Sequence, residues 1–444
     1  MKRTTFTAMC LAGLLCVTAR ADETCMSPYM AKIVGQEDFV YIWTLGMVGV
    51  GDEQDKLVTV DVNPKSKNFG KVVDQVSVGG RNEAHHTGLT DDRQFLWATA
   101  LDTSRMFIFD VHTDPAKPKL VRTIEDFVKT SGGVVGPHTS YALPGRMLLT
   151  GLSNNKDHGG RTAMVQYTND GEYVSTTWMP IDGALQGAVK TGKFADGYGY
   201  DARALPRLNV LVTSSFTGWN NYMMNLGKLM ADAEAMKHFG NTAVVWDLHT
   251  LQPKKIFDMP GAPLELRCAW GANHNYCFTA TALTSKIWLM YLDDAGEWQA
   301  KAVADIGDAS KIPLPVDISI SAEDDLLWVD TWNDGKVHLY DIRDPHAPKQ
   351  VFEQQIGEQL NMVSESWDGK RVYFTSSLLA NWDKTTSTGG DLQFFKLYAW
   401  DGKALKQQFS IDFVKEKLGA PHQMRFGAYS LYGQKPPAGQ LAQQ

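Results

Sequence analysis

Short apolar runs recur in pairs along most of this chain, and each run is closed by Asp, Asn, Gly or Pro. The runs are rich in β-branched and aromatic residues, which is typical of β-strands bounded by turns. The seven pairs are 39–45 with 57–62, 95–99 with 106–111, 147–150 with 163–167, 210–213 with 243–248, 277–280 with 287–291, 326–329 with 337–342, and 372–375 with 394–400. Many pairs are followed by a further run, so about four short strands recur every ~45 to 60 residues, which is the spacing of propeller blades. The sequence therefore predicts an all-β, seven-bladed β-propeller.

An innermost strand is predicted upstream of each pair, because the first strand of a blade lines the central channel. The residues that lie 12 to 14 positions before a residue at or next to the end of six of the first runs are His86, His138, Asp201, Glu265, Asp317 and Met362. A seventh start, at His422, has no blade after it, whereas the pair beginning at Phe39 has no inner strand before it. Both observations are explained if the C-terminal strand pairs with the N-terminal blade and closes the ring, which also hides two sheet edges.

Closure places the starts of the inner strands in a ring at one mouth of the channel. His422 then neighbours His85 and His86, and His138 lies on their other side, so three adjacent blades offer up to four imidazoles. Imidazole-rich sites suit copper, zinc, iron or nickel rather than calcium or magnesium. The affinity series of divalent metals favours copper, although three histidines and an open position are also typical of catalytic zinc.

His85 and His86 can both bind one metal ion only if the backbone meets a condition. Neighbouring residues of a regular strand point to opposite faces, so the strand must start with a bulge or a loop. Without it, one histidine is a ligand and the other is a polar residue of the channel wall.

Three carboxylates, Asp201, Glu265 and Asp317, occupy the corresponding positions of other blades. Each is either a solvated residue of the channel mouth or, in a region of low dielectric constant, a candidate general base. The sequence leaves both alternatives open, and these three residues are the candidate catalytic groups.

The N-terminus has the organisation of a secretory signal peptide. The positive pair Lys2-Arg3 precedes an apolar stretch, and Ala19-Arg20-Ala21 is the small-x-small pattern after which signal peptidase cuts. We therefore predict a signal peptide over 1–21, a periplasmic protein whose propeller spans 22–432, and a disordered tail over 433–444.

The composition argues against several kinds of partner. The chain has 444 residues and a formal net charge of -7, whereas nucleic acid and anionic membrane surfaces bind clustered cations. No segment has the ~20 consecutive apolar residues that a membrane-spanning helix needs. A small molecule is therefore the expected partner, and assembly into a homo-oligomer stays open.

Three cysteines follow the predicted signal peptide, and an odd number in an oxidising compartment leaves at least one thiol unpaired or intermolecular. Cys268 and Cys277 flank a turn-rich stretch. They form either a disulfide or two small buried side chains, and the role of Cys25 is open.

One longer segment, 225–239, combines apolar residues with good helix formers, which predicts a helix. It is inserted between two strands of one blade. A surface decoration, a lid and a subunit contact are the alternatives for it.

The residues at and around these positions resemble those of the selenium-binding protein family, whose exported bacterial members are methanethiol oxidases. The likeness covers nearly all of the predicted mature chain. It rests on Asn82-Glu83-Ala84-His85-His86-Thr87-Gly88, Pro137-His138-Thr139-Ser140, Gly199-Tyr200-Asp201, Pro263-Leu264-Glu265-Leu266-Arg267, Asp317-Ile318-Ser319-Ile320-Ser321, Asp368-Gly369-Lys370-Arg371, Asn381-Trp382-Asp383-Lys384 and His422-Gln423-Met424-Arg425-Phe426.

The resemblance implies a seven-bladed propeller that is a copper-dependent oxidase. The implied reaction converts methanethiol, oxygen and water to formaldehyde, hydrogen sulfide and hydrogen peroxide. The implied copper ligands are His85, His86, His138 and His422.

The chain departs from the family pattern at two places. Animal members carry a Cys-x-x-Cys just after the His-His pair, whereas Thr90-Asp91-Asp92 follows here, so selenium binding at that place is not expected. The glutamate that usually follows the last histidine is replaced by Gln423, which removes one charge beside the implied ligands.

Two other functions stay open at this point. A periplasmic copper-binding or copper-delivery propeller would hold the same metal without turnover, so it would release no peroxide or sulfide. A protein-interaction propeller with an empty mouth would take up no copper at all.

Overall fold

The computed structural model describes the residue ranges 26–156, 160–181, 194–387 and 391–432. These residues form 28 strands in seven four-stranded antiparallel sheets, arranged as the blades of a propeller. The prediction of an all-β, seven-bladed propeller is confirmed. The predicted signal peptide, the predicted tail, Cys25 and His158 lie outside the described residues, and the signal peptide and the tail stay predictions.

Each blade runs from an inner strand along the channel to an outer strand at the surface. Blade 1 consists of β28 (Ala420–Gly427), β1 (Phe39–Leu45), β2 (Lys56–Asp61) and β3 (Lys71–Ser77). Blade 2 consists of β4 (Ala84–Leu89), β5 (Phe95–Ala100), β6 (Met106–Asp110) and β7 (Lys119–Ile124). Blade 3 consists of β8 (Val134–Leu143), β9 (Arg146–Asn154), β10 (Ala163–Thr168) and β11 (Tyr173–Trp178).

The remaining four blades follow in chain order. Blade 4 consists of β12 (Ala202–Leu205), β13 (Val210–Thr213), β14 (Thr242–Asp247) and β15 (Pro253–Asp258). Blade 5 consists of β16 (Pro263–Cys268), β17 (Tyr276–Thr281), β18 (Lys286–Leu292) and β19 (Trp298–Asp305). Blade 6 consists of β20 (Pro315–Ile320), β21 (Leu326–Thr331), β22 (Lys336–Asp341) and β23 (Lys349–Gln355). Blade 7 consists of β24 (Met362–Glu365), β25 (Arg371–Thr375), β26 (Phe394–Trp400) and β27 (Leu405–Asp412).

The ring closes through blade 1, as the sequence predicts. β28 pairs antiparallel with β1, with Phe39 opposite Gly427, and the inner strands contact one another in order from β28 through β4 and β8 back to β24 and β28. Side chains reinforce the closure. The Arg93 Nη2 donates to the Phe426 backbone oxygen at 2.8 Å, and Trp43 Nε1 donates to the Thr99 oxygen of the next blade at 2.8 Å.

The inner strands share an irregularity at the same place. In blades 1, 2, 3, 5 and 6 the register with the next strand shifts by one residue, so that two residues of the inner strand oppose one residue of its neighbour. This is the definition of a β-bulge. In blade 2 the two residues are His85 and His86, and the residue opposite them is Thr99. The bulge required for both histidines to face one site is therefore present.

A polar side chain of the neighbouring strand holds several of these bulges. The hydroxyl of Thr99 accepts from the backbone N–H of His86 at 3.2 Å, and the Thr150 hydroxyl accepts from that of Thr139 at 3.1 Å. In blade 6 the Asp330 carboxylate accepts from the backbone N–H of Asp317 at 2.7 Å. These bonds replace the ladder hydrogen bonds that a bulge leaves unmade, because a buried N–H without a partner is costly.

Two segments cover one end of the channel, and together we call them the cap. They are 216–239, between β13 and β14, and 377–387, between β25 and β26. The rings of Phe216 and Trp382 meet edge to face, with centroids 5.9 Å apart, and Trp382 Nε1 donates to the Met224 oxygen at 3.1 Å. The inserted segment thus packs over the end of the channel and is not merely a surface decoration.

Helices are short throughout the described ranges. They are α1 (Phe127–Thr130), α2 (Trp219–Tyr222) and α3 (Leu226–Ala231), with 3₁₀ turns at Pro206–Leu208, Ala235–His238, Ala309–Lys311 and Tyr429–Leu431. None of them has the length and apolar character needed to cross a bilayer. The single helix predicted over 225–239 is wrong. Asp232 interrupts it by accepting from the backbone N–H groups of Glu234 and Ala235, which starts a new turn.

Cys268 and Cys277 form a disulfide between the paired strands β16 and β17. They lie near the end of the channel opposite the cap. The N-terminal residues Met26 and Pro28 border a small pocket there, together with Arg203 and Arg267. The two ends of the channel are thus covered by different parts of the chain.

Candidate metal centre

Two successive residues of each inner strand face the channel at the bulge position, and they form two layers. The first residue of each pair, on the cap side, belongs to what we call the upper tier: His422, His85, His138, Tyr200, Leu264, Val316 and Asn361, for blades 1 to 7. The second residue belongs to the lower tier: Gln423, His86, Thr139, Asp201, Glu265, Asp317 and Met362.

The four predicted histidines come together where blades 1, 2 and 3 meet. The ring centroids of His85 and His422 are 3.8 Å apart, and those of His86 and His138 are also 3.8 Å apart. His85 lies 4.8 Å from His138, and His86 lies 5.6 Å from His422. Strands that are more than 330 residues apart in sequence thus supply one cluster.

Burial keeps these imidazoles neutral. His86, His138 and His422 are fully buried and His85 is 3% exposed. Desolvation, together with neighbouring imidazoles, holds the pKa of His85, His86 and His138 well below the usual value. Desolvation also lowers the pKa of His422 to about 3. Neutral imidazole is the form that binds a metal ion.

One ring nitrogen of each histidine has no hydrogen-bond partner among the described residues. These atoms are His85 Nδ1, His86 Nε2, His138 Nε2 and His422 Nε2. A buried polar atom without a hydrogen-bond partner costs free energy of folding. Four such atoms in one cluster therefore indicate a binding site for a ligand. The candidate ligand atoms of His85, His86 and His138 lie within 4.8 Å of one another.

The other nitrogen of His138 fixes its tautomer. Nδ1 lies 3.0 Å from the backbone oxygen of Tyr200, which can only accept, so Nδ1 carries the proton and Nε2 keeps its lone pair. The Tyr200 ring also packs on the imidazole, with centroids 3.9 Å apart. Such support is typical of metal-binding histidines.

His422 is held in a similar way by Asn361. The Asn361 amide lies against His422 Nδ1, with Nδ2 at 3.1 Å, and its Oδ1 has no hydrogen-bond partner among the described residues. Rotating the Asn361 side-chain amide by 180° exchanges the positions of its oxygen and its nitrogen. With Oδ1 toward the ring, Nδ1 carries the proton and Nε2 is free to bind a cation.

The donor set fits a transition metal. Buried neutral imidazoles suit copper, zinc, iron or nickel, and His85, His86 and His138 lie close enough together to share one ion. Ligands about 2.0 to 2.1 Å from one ion lie roughly 3 to 4 Å from each other. Glu265 Oε1 lies 3.4 Å from His86 Nε2, so this carboxylate is also at ligand distance from the cluster.

Of the three predicted carboxylates, Glu265 is the one that reaches the histidines. Its Oε2 accepts from Arg267 Nη1 at 2.9 Å and from Arg203 Nη2 at 3.3 Å. Its Oε1 faces His86. One oxygen is therefore anchored by cations while the other is directed at the candidate metal position.

The carboxylates of Asp201 and Asp317 accept hydrogen bonds from groups other than the histidines. Asp201 accepts from the Thr139 hydroxyl at 3.0 Å and from the Leu266 N–H at 2.8 Å, and burial raises its pKa to about 7. Asp317 accepts from Arg267 Nη2 at 2.7 Å and from backbone N–H groups with both oxygens. The alternative that these are solvated residues of an open mouth is wrong, because Asp201, Glu265 and Asp317 are 0 to 1% exposed.

The predicted single ring at a channel mouth is also corrected. The histidines lie inside the channel beneath the cap. His138 and His422 are on the level of His85, whereas the carboxylates are on the level of His86. A bulge presents two residues where a regular strand presents one, so counting positions along the strand merged two tiers into one.

Four residues were not singled out by spacing alone. Tyr200 and Asn361 orient the histidines, and Arg203 and Arg267 balance the buried carboxylates. A signal for the arginines is present in the sequence. An acid or amide is followed two positions later by Arg at Asp201-Ala202-Arg203, Glu265-Leu266-Arg267 and Gln423-Met424-Arg425, which repeats on three inner strands.

Gln423 is a residue of β28, the strand that closes the ring, and its side chain contacts His86 of the cluster. Its Oε1 accepts from the Thr87 N–H at 2.6 Å and from Arg425 Nη2 at 2.9 Å, and its Nε2 lies 3.4 Å from His86 Nδ1. The amide thus meets donors on one side and an imidazole on the other. Because Oε1 is held by two donors, Nε2 is the group that donates to His86 Nδ1, whereas a glutamate at this position would accept from His86.

Other histidines of the described ranges are remote from the cluster. His249 and His346 are exposed. His112 is half-buried and packs edge to face on Tyr432, with ring centroids 5.2 Å apart. His338 is buried on β22 with its Nδ1 3.2 Å from Glu353.

Comparison with known families matches residues 19–429 to the 56kDa selenium binding protein (SBP56) family. A methanethiol oxidase of Ruegeria pomeroyi is 63% identical over 97% of this chain and 100% of its own length. A methanethiol oxidase of a Hyphomicrobium species is 57% identical over 92% of this chain and 91% of its own. A human methanethiol oxidase is 26% identical over 90% and 95% of the two chains.

Solved structures share the fold. A hypothetical selenium-binding protein from Sulfolobus tokodaii is 26% identical and superimposes with a TM-score of 0.76, over 91% of this chain and 97% of its own. A periplasmic gluconolactonase from Pseudomonas aeruginosa is 12% identical with a TM-score of 0.61, over 88% and 99%. The second likeness concerns the propeller alone.

Proposed function

We propose that this chain, which belongs to the 56kDa selenium binding protein (SBP56) family, is a copper-dependent methanethiol oxidase. The proposed reaction converts methanethiol, oxygen and water to formaldehyde, hydrogen sulfide and hydrogen peroxide. The observation that carries it is the buried cluster of His85, His86, His138 and His422, each with a ring nitrogen lacking a hydrogen-bond partner.

Copper held by these four residues would supply a cation that favours the thiolate form of the substrate and an acceptor for electrons. Tyr200 and Asn361 keep the imidazoles of His138 and His422 in the orientation that presents Nε2 to the ion. The cap keeps bulk water away from the cluster, which strengthens the electrostatic interactions inside it.

Glu265 is the proposed proton acceptor. Its Oε1 is the carboxylate oxygen directed at the cluster, within hydrogen-bond reach through His86 or one intervening molecule. Arg203 and Arg267 hold its other oxygen, so the side chain keeps its orientation when the proton arrives. Asp201 and Asp317, with both oxygens already engaged, act in this proposal by positioning Arg203 and Arg267.

The test combines metal content with products. Purified full-length protein is loaded with copper or with zinc, and metal stoichiometry, peroxide, sulfide and formaldehyde are measured with methanethiol and oxygen. We expect about one copper per chain and equal amounts of the three products, with no turnover in the zinc form. Copper binding without products would support the copper-binding or copper-delivery alternative instead.

The deep burial of the histidines favours turnover over delivery, because a donor of copper must exchange its ion with a partner protein. Here the cluster is 0 to 3% exposed and roofed by the cap. Release would require the cap to open.

We further propose that the protein acts in the periplasm after removal of residues 1–21. This rests on the sequence pattern of the N-terminus. N-terminal sequencing of the exported protein should read Asp22-Glu23-Thr24, and an intact N-terminus on active protein would contradict it.

A further inference from the structure

The upper tier is polar on one side of the channel and apolar on the other. His422, His85 and His138 come from blades 1 to 3. In a ring of seven, the position opposite blade 2 falls between blades 5 and 6, and these blades contribute Leu264 and Val316. The two side chains are 2% and 3% exposed. The histidines therefore face a wall of hydrocarbon across the channel.

A small cavity lies in this gap. It is bordered by His85 and Tyr200 on one side, by Leu264 and Val316 on the other, and by Phe216 and Trp382 of the cap above. The free space is about 20 Å³, close to the room that one water-sized molecule needs. No Asp, Glu, Lys or Arg borders the cavity within the described residues.

We propose that this cavity holds the alkyl group of the substrate thiol, and that Leu264 and Val316 set its upper size near one carbon. We call it the thiol chamber. The inference rests on the proposed function and deepens it, because it states which thiols the site accepts. The sulfur lies toward the histidines and the alkyl group lies toward the apolar wall.

Two physical arguments support a limit on both size and charge. Added methylene groups have no free volume to enter, and forcing them into a packed site displaces its walls. A thiol that carries a carboxylate or an ammonium group finds no opposite charge in the chamber, and burying such a group without a partner is very unfavourable. Small uncharged alkanethiols are therefore the class that fits.

The chamber is tested with the copper-loaded full-length protein and its variant Leu264→Ala, which shortens the wall. We compare kcat/KM for methanethiol, ethanethiol and 1-propanethiol. In the unmodified protein we expect roughly a tenfold or larger loss for each added carbon. In Leu264→Ala the ratio of ethanethiol to methanethiol should rise at least about tenfold.

The control is Leu289→Ala. Leu289 is fully buried in β18 of the same blade, but it does not border the chamber. It should lower stability without changing the ratio. If Leu264→Ala fails to fold, Val316→Ala tests the same wall. An unmodified protein that oxidises the three thiols equally well would overturn the chamber while leaving the proposed function intact.

A second measurement does not depend on turnover. Crystals of the copper-loaded protein and of Leu264→Ala are pressurised with xenon, which occupies apolar cavities. We expect xenon to bind beside residue 264 in the variant. This result does not depend on whether the protein oxidises any thiol. A chamber without xenon in the variant would contradict the inference. Absence of any thiol oxidation by the unmodified protein would contradict the proposed function alone.

Discussion

The upper and lower tiers of the channel are built by the same repeated bulge, yet their surroundings differ. Upper-tier residues across from the histidines are Leu264 and Val316, beneath an apolar cap. Lower-tier residues across from His86 are Glu265 and Asp317, which are bound to arginines. Two adjacent residues of one strand thus face an apolar space and an ionic network.

The difference separates two tasks that a thiol oxidase must perform. Apolar surroundings accommodate an alkyl group. A buried network of carboxylates and arginines can accept protons, because the arginines balance the negative charge of the carboxylates in the protein interior. The histidines belong to both tiers, so the candidate metal position lies at their border. Variants that alter one tier only can therefore show whether binding of the alkyl group and acceptance of protons are separate.

Removing an imidazole should have the largest effect. His422→Ala deletes an upper-tier ligand, and we expect copper affinity and turnover to fall more than about a hundredfold, because supporting residues around a metal already contribute 10- to 100-fold. Copper stoichiometry and methanethiol-dependent peroxide formation measure the change. His249→Ala, in an exposed turn, is the matched control and should leave both unchanged. Full copper with full turnover in His422→Ala would disprove a shared site.

Changing the lower tier should affect turnover while copper stays bound. Glu265→Gln removes the proposed proton acceptor, and a loss of about 10² to 10⁴ in kcat is expected, with one limb missing from the pH–rate profile. The comparison is Asp201→Asn, whose carboxylate is engaged in hydrogen bonds, so it should cost about 1 to 3 kcal/mol of stability. Joint loss of copper and turnover in Glu265→Gln would make Glu265 a metal ligand.

A smaller effect is expected from the residue that orients His422. Asn361→Leu removes the polar contact to Nδ1 but keeps a similar volume. Copper affinity, measured by competition with a chelator, should fall about 10- to 100-fold, and turnover should recover at saturating copper. Asn63→Leu, on the outer part of blade 1, is the control. Unchanged affinity in Asn361→Leu would show that packing alone holds the imidazole.

The smallest effect concerns stability and pH in the metal-free protein. Unfolded histidine titrates near pH 6.5, whereas folded His422 has its pKa lowered to about 3. Between these values the unfolded chain binds a proton that the folded chain does not, so stability falls as pH decreases below about 6.5. At pH 5 this amounts to about 2 kcal/mol for one histidine. His422→Gln should therefore lose less stability, seen as a melting temperature less sensitive to pH between 7 and 5.

Much of the fold could be predicted because a propeller repeats its signal. Each blade carries its own strand pairs and turns, and the unmatched strands at the two ends required closure through β28 and β1. The four histidines were identifiable for the same reason, because an inner strand occupies the same place in every blade. The disulfide between Cys268 and Cys277 was one of two alternatives left open by a turn-rich connection.

The tiers and the cap could not be predicted in this way. A bulge adds a residue without changing the alternation of apolar residues on either side of it. The spacing of residues in the sequence therefore does not show that Glu265 lies in the lower tier and His85 in the upper tier. The cap depends on contacts such as that between Trp382 and Met224, which are 158 residues apart and belong to irregular segments. Periodicity carries no information about such segments.

Ring closure also sets the time at which the candidate metal centre comes into existence. As the chain folds, blades 2 to 7 can form from neighbouring segments, but His422 and Asn361 meet only when β28 docks beside β1. That pairing joins the far ends of the chain, and contacts of such separation form late. Tight metal binding would therefore mark a ring that has closed, and a chain cut short before β28 would carry three of the four imidazoles.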